Sequence, residues 1–137
     1  MIRKAEISLE VPFHDCDPAG MVWHGHYAKY IELARCALLE SFDYNYDRML
    51  ESGYVWPVID LRLRYVQPAI FKQRIVVRAT LVEWEHRLKI DYLIRDADSG
   101  KRMTKAGTVQ VAVEIETHEM CLMSPPVLFD KLGLARP

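Results

Sequence analysis

The chain has 137 residues and a mass of 16.0 kDa, the size of one domain, and its composition of 50% hydrophobic and 27% charged residues excludes wholesale disorder. Lys and Arg number 18 against 19 Asp and Glu, a formal charge of −1 with no long run of one sign, which argues against a protein that holds nucleic acid by charge. No apolar run approaches the ~20 residues of a membrane span. The stretch Met1-Ile2-Arg3-Lys4-Ala5-Glu6 lacks the apolar core of a signal peptide. Cys16, Cys36 and Cys121 are odd in number and widely spaced, which does not suggest a disulfide framework. The expectation is one domain over residues 1–137, without a membrane span, in a reducing cytoplasm.

In chain order, the first segment alternates with period two: Ala5, Ile7, Leu9, Val11 and Phe13 share a face opposite Glu6, Ser8 and Glu10. Residues 24–42 change to helical period, with Tyr27, Tyr30, Ile31, Ala34, Ala37, Leu38 and Phe42 on one side and Lys29, Glu32, Arg35 and Glu40 on much of the other. A shorter helical stretch is expected near residues 47–52. Four more alternating segments follow. Ile59, Leu61, Leu63 and Tyr65 oppose Asp60, Arg62 and Arg64; Ile75, Val77, Ala79 and Leu81 oppose Arg74, Arg78 and Thr80. Leu88, Ile90, Tyr92 and Ile94 oppose Arg87, Lys89, Asp91 and Arg95; Val109, Val111, Val113 and Ile115 oppose Thr108, Gln110 and Glu114. Asp98-Ser99-Gly100 marks the turn between the last two. The tail after Glu116 is weakly patterned and interrupted by Pro125-Pro126. These segments predict an α+β domain: a five-stranded antiparallel sheet wrapped around one long helix, the one element large enough to cover the apolar face. Such a sheet leaves edge strands that self-association could pair.

Chemistry-bearing residues concentrate between the first strand and the helix, in Phe13-His14-Asp15-Cys16-Asp17-Pro18-Ala19-Gly20-Met21-Val22-Trp23-His24-Gly25-His26-Tyr27. Asp17-Pro18-Ala19-Gly20 has the residue types of a type I turn, in which Asp17 bonds its own backbone. The same turn can present Asp17 beside the helix start, where a carboxylate attacks an acyl carbon or activates water and backbone N–H groups near His24 and Gly25 hold an oxyanion. His14, Asp15, Asp17, His24 and His26 are zinc-type donors. However, His24 and His26 do not share a helix face, and no H-x-x-x-H or C-x-x-C pair occurs, so neither a metal nor another cofactor is expected. Cys16 lies between two acids, which disfavours its thiolate as a nucleophile.

The stretch Asp15-Cys16-Asp17-Pro18-Ala19-Gly20-Met21-Val22-Trp23, continued by His24 and Tyr27, resembles the motif of the 4-hydroxybenzoyl-CoA thioesterase family, whose members have the hot-dog fold. Glu83-Trp84-Glu85-His86-Arg87 resembles that family's turn before the fourth strand, and the order of elements matches from about residue 5 to residue 116. The resemblance implies an acyl thioesterase acting on an acyl-CoA or acyl-carrier-protein thioester. It implies that Asp17 is the catalytic carboxylate, as nucleophile or general base, and that the helix start at His24 polarises the thioester carbonyl. Gly25 and Tyr27 then lie in the substrate site, and Arg87 and Lys89 meet the phosphates of coenzyme A. Aroyl-specific members carry Tyr at the helix start, whereas short-acyl members associated with the Tol–Pal envelope system carry His; this chain joins Asp-Cys-Asp-Pro-Ala-Gly to His24. Family active sites lie at a subunit interface, so a homodimer or homotetramer is implied. Two alternatives handle the same substrates: a hot-dog hydratase or dehydratase, which conserves the thioester, and a non-catalytic acyl-thioester binding module.

Overall fold

The computed structural model describes residues 3–137; Met1 and Ile2, part of the N-terminal stretch considered above for a signal peptide, lie outside the described residues. The chain begins with strand β1 (Arg3–Glu10), and a loop holding two single 3-10 turns leads into helix α1 (Tyr27–Ser41). Helix α2 (Tyr46–Glu51) and the short strand β2 (Tyr54–Val55) precede strands β3 (Val58–Tyr65), β4 (Arg74–Glu83), β5 (Leu88–Asp96) and β6 (Arg102–Gln110). The short strand β7 (Val113–Glu114) and helix α3 (Pro126–Leu132) complete the order. The main sheet is five-stranded and antiparallel, in the order β1-β4-β5-β6-β3, and β2 pairs with β7 in a separate ribbon. This is the predicted α+β architecture, a hot-dog sheet around one long helix.

Helix α1 lies across β1, β4 and β5. Its buried stripe of Tyr27, Tyr30, Ile31, Ala34 and Leu38 recurs at three- and four-residue spacing and meets Ile75, Val77 and Ala79 of β4 and Leu88, Ile90, Tyr92 and Ile94 of β5. The helix is preceded by a 3-10 turn at His24–His26, so its regular part starts three residues later than the periodicity suggests. Asn45 caps α2 by accepting the Tyr46 N–H. No helix among the described residues is long and apolar enough to cross a membrane.

Four expectations are corrected. Phe13 leaves the buried face of the first segment: β1 ends at Glu10, and the Phe13 ring is 75% exposed, edge-on to Phe71. The fifth alternating segment has its faces reversed. The register sets Leu88, Ile90, Tyr92 and Ile94 opposite Gln110, Thr108, Ala106 and Thr104, so the polar residues of β6 face the helix. Tyr92 Oη and Thr108 Oγ1 share a hydrogen bond of 2.9 Å, and Gln110 Nε2 donates to the Trp56 carbonyl at 2.7 Å, which lets these groups be buried. The valine run straddles the end of β6, with Val113 carried into β7. The apolar face of β3 is only partly covered: Leu63 packs against the core and Tyr65 meets Tyr27, but Ile59 is 59% and Leu61 and Tyr65 are each 46% exposed, because α1 lies over β1, β4 and β5. Finally, Pro126 begins α3 rather than breaking structure. Proline suits the first helical turn, and Gly133, at φ 72°, closes the helix in a left-handed conformation.

Leu38 is fully buried at the centre of the helix–sheet interface. Leu38→Ala is expected to cost about 2–5 kcal/mol of stability, read from urea unfolding midpoints.

Candidate active site

The loop between β1 and α1 folds back on itself as a narrow hairpin. Cys16 and Val22 form an antiparallel bridge, and the Asp17 N–H donates to the Met21 carbonyl at 2.8 Å. The turn is the one the residue types predict: the Gly20 N–H donates to the Asp17 carbonyl at 2.9 Å, and Gly20 takes φ 79°, where a side chain would be strained. Asp17 Oδ1 accepts the N–H groups of Ala19 (2.9 Å) and Met21 (3.3 Å), so the carboxylate is oriented by its own turn while remaining half-buried. Forming the turn and presenting the carboxylate are thus one geometry.

Six residues after Asp17, Trp23 takes an extended conformation and the chain enters the 3-10 turn at His24. The first N–H groups of a helix have no carbonyl one turn behind them, which leaves the amides at His24 and Gly25 as available donors at the positive end of the helix. The Trp23 indole lies directly over Gly25: a Cβ built there would stand 2.0 Å from the ring, so any side chain at this position displaces the indole. Tyr65, at the end of β3, donates its hydroxyl to the His24 carbonyl at 2.8 Å. Tyr27 is buried, accepts the Ala69 N–H on its hydroxyl at 2.9 Å, and stacks edge-on against Tyr65. Val22, His24, Tyr27, Tyr65 and residues 66–68 line a slot of about 320 Å³ at the helix start.

Sequence reasoning missed what holds this loop in place. Asp15 is 1% exposed, and its carboxylate accepts from Lys29 Nζ at 2.5 Å and from the Tyr30 hydroxyl at 2.7 Å. His26 Nδ1 lies 3.9 Å and His14 Nε2 3.7 Å from the same carboxylate, and the Asp15 carbonyl accepts the Trp23 N–H at 3.0 Å. Burial raises the Asp15 pKa, but the hydrogen bonds from Lys29 and Tyr30, joined by the charges of Lys29 and His26, outweigh it and hold the carboxyl below its ordinary value. Burial, then the hydrogen bond to the Asp15 carboxylate and its charge, push the Tyr30 phenol up. Burial, then the charges of Asp15 and Asp17, push the Cys16 thiol up, as its place between two acids suggests. Among the described residues, no group of three or more His, Cys, Asp or Glu is arranged to hold a metal ion.

Arg87 and Lys89 lie elsewhere. They line a groove on the outer face of the sheet, and Arg87 is paired with Glu83 at 3.0 Å. The slot and α1 are on the inner face, so one chain does not bring these cations to Asp17.

The sequence profile of the thioesterase-like superfamily matches residues 11–130, from the loop after β1 into α3. The chain belongs to this superfamily. It is a hot-dog thioester hydrolase. The 4-hydroxybenzoyl-CoA thioesterase of Pseudomonas sp. (strain CBS-3) is 24% identical over 131 residues, covering 90% of this chain and 86% of that protein. Among solved structures, Slr0204, a 1,4-dihydroxy-2-naphthoyl-CoA thioesterase from Synechocystis, shares the fold with a TM-score of 0.83 at 21% identity, over 98% of this chain and 99% of that one. The hypothetical protein TT1821 from Thermus thermophilus gives a TM-score of 0.82 at 27% identity, over 93% and 96%.

In this thioesterase the Asp15 clamp carries a pH signature. A carboxyl that ionises more readily in the folded state stabilises the fold above its unfolded pKa of about 4, and that contribution is lost as pH falls through the lowered folded value. Asp15→Ala is therefore expected to lose about 2–3 kcal/mol at pH 7, from two hydrogen bonds to a buried charge. Stability measured by urea unfolding should fall more steeply below pH ~4 in the wild type than in the variant.

Proposed function

We propose that this thioesterase hydrolyses an acyl-CoA or acyl-carrier-protein thioester, with Asp17 supplying the reacting carboxylate and the helix start at His24 and Gly25 receiving the carbonyl oxygen. The observation that carries the reading is an Asp17 carboxylate oriented by two backbone N–H groups, on the same loop that delivers the chain to the start of α1. An Asp17 oxygen adds to the thioester carbon, the negative charge moves to the carbonyl oxygen, and two backbone amides stabilise it. Collapse breaks the carbon–sulfur bond and releases the thiol after protonation, leaving an acyl anhydride on Asp17 that water hydrolyses. In the general-base variant of the same geometry, Asp17 takes a proton from water and the water oxygen attacks. The Tyr65 hydroxyl on the His24 carbonyl fixes the peptide plane of the first turn, and Tyr27 packs beneath it.

Support for the acyl-CoA substrate comes from the names of the relatives, and the aromatic acyl groups of several of them set the first compounds to try. Localisation in the cytoplasm accords with three unpaired cysteines. Support for a homodimer comes from β3. It is an edge strand with unpaired backbone groups, and its exposed inner face at Leu61 and Tyr65 borders the slot. A second copy paired along β3 covers that face and closes the slot into a pocket.

Thiol release from acetyl-, hexanoyl-, decanoyl-, benzoyl- and 4-hydroxybenzoyl-CoA tests the reaction. Turnover is expected with at least one of them, and Asp17→Ala should lower kcat by ~100-fold or more. Full activity in that variant removes Asp17 from the mechanism; a product that retains its thioester favours a hydratase. Light scattering is expected to show a dimer or larger assembly, and Leu61→Asp, which places a charge on the exposed β3 face, should yield a monomer with reduced turnover. An active wild-type monomer contradicts a shared site.

A further inference from the structure

The outer face of the sheet carries a charge distribution that chemistry at the helix start does not use. A groove of about 670 Å³ crosses β4, β5, β6 and β3 on this face. Arg78 enters it from β4, Arg102 and Lys105 from β6, and Arg62 and Arg64 from β3, beside Arg87 and Lys89. Against these seven cations stand two lining carboxylates, Asp60 and Asp91, and Glu83, which pairs with Arg87, so the groove keeps an excess of four positive charges on a chain whose formal charge is −1. Arg62 is paired with Asp60 at 3.2 Å, but Arg64, Lys89, Arg102 and Lys105 make no ion pair among the described residues. Arg64 and Lys105 are direct cross-strand partners, a like-charge placement that costs stability in a sheet. A surface that retains such a pair with no neutralising carboxylate is suited to an anionic partner.

The dimensions select the partner. Four strands set the cations over ~14 Å across the sheet, and the span from Lys89 to the level of Arg102 is ~20 Å along it. The phosphates of one nucleotide engage only a fraction of that area. A second copy of this face is repelled by it. A helix of ~10 Å diameter and about 13 residues covers it. The groove also ends where the slot begins: Arg64 precedes Tyr65, which with residues 66–68 walls the slot at His24.

We propose that this groove docks the acidic face of a helix of a thioester-carrier protein, which passes its acyl group around the strand end at residues 65–68 into the slot. The inference rests on the thioesterase reading above and names the thiol carrier for it.

The test compares one hexanoyl group on three carriers: a purified acyl-carrier protein with acidic helices, coenzyme A, and pantetheine. Lys105→Glu converts the like-charged pair with Arg64 into an opposite-charged one, so the variant should melt at or above the wild-type temperature; Arg102→Glu is a second probe. Each variant is expected to raise KM for the hexanoyl carrier about tenfold, as is raised ionic strength in the wild type, while the pantetheine thioester is unaffected. An unchanged carrier KM in both variants overturns the proposal. So does an equal rise for hexanoyl-CoA, which assigns the groove to nucleotide phosphates.

Fluorescence anisotropy of the labelled carrier with Asp17→Asn protein reads docking apart from turnover. Equal binding of a short DNA duplex shows a generic polyanion surface and also overturns the proposal. Carrier binding that Lys105→Glu abolishes, in a protein that hydrolyses neither these three thioesters nor any acyl-CoA of the panel above, leaves docking standing and removes the hydrolase reading at Asp17. Turnover of the pantetheine thioester with no carrier binding removes docking alone.

Discussion

Ionised Asp15 sits almost without solvent between the loop and the first turns of α1, and the placement of every other group in the site follows from how that charge is compensated. Burying a carboxylate is unfavourable unless hydrogen bonds replace its water. Lys29 and Tyr30 both reach it from α1, while the Asp15 backbone carbonyl receives Trp23 just before the helix begins. Loop, helix start and helix body are thereby joined at one residue. With Asp15 fixed, the Cys16–Val22 bridge determines where the Asp17 turn projects, and Trp23 determines where the first unpaired amides of the helix point. Asp17, the carboxylate proposed to react, is oriented by its own turn; Asp15, two positions earlier, holds that turn on the protein.

The second constraint is coverage. One helix cannot cover five strands, and α1 lies over β1, β4 and β5. The chain manages the remainder in two ways. On β6 the inward positions Thr104, Thr108 and Gln110 are polar; Thr108 bonds Tyr92 and Gln110 Nε2 donates to the Trp56 carbonyl, while Thr104 Oγ1 and Gln110 Oε1 are buried without a partner among the described residues. On β3 they are apolar and left exposed beside the slot, at Leu61 and Tyr65. An apolar face adjoining both an edge and the candidate site is the physical basis of the proposed dimer. The opposite face of the same strand carries Arg62 and Arg64 into the cationic groove. β3 thus divides two surfaces of different chemistry, and its end at Tyr65 is the place where they meet.

Much of this was legible in the residues. Alternation located the cores of β1, β4 and β5 and assigned their faces correctly, because a strand covered by a helix on one side must place its apolar residues at every second position. The turn at Asp17 was legible because Asp, Pro and Gly each have a conformational reason for their place in it. Where alternation misled, its premise failed. In β6, Val109 faces the outer groove and Thr108 the core. In β3, Ile59 and Leu61 stay exposed because α1 lies over β1, β4 and β5 and meets β3 only where Tyr27 reaches Tyr65. Pro125-Pro126 disguised α3, since the same residue type that ends a helix interior also begins a helix.

The sequence by itself determined the local conformations and the candidate groups: the long helix, the alternating strands, the tight turn at Asp17, and a helical turn beginning at His24 with Gly25 behind it. These depend on backbone preferences and periodicity, which act between near neighbours. Tertiary structure alone decided that Asp15 is buried against Lys29 and Tyr30, that Tyr65 reaches the His24 carbonyl, and that Arg87 and Lys89 lie on the far side of the sheet from Asp17. It also gathered cations from four strands, scattered along a nearly neutral chain, onto one face. Such placements follow from strand order and register, which bring distant residues together by long-range pairing and leave no periodic trace in the sequence.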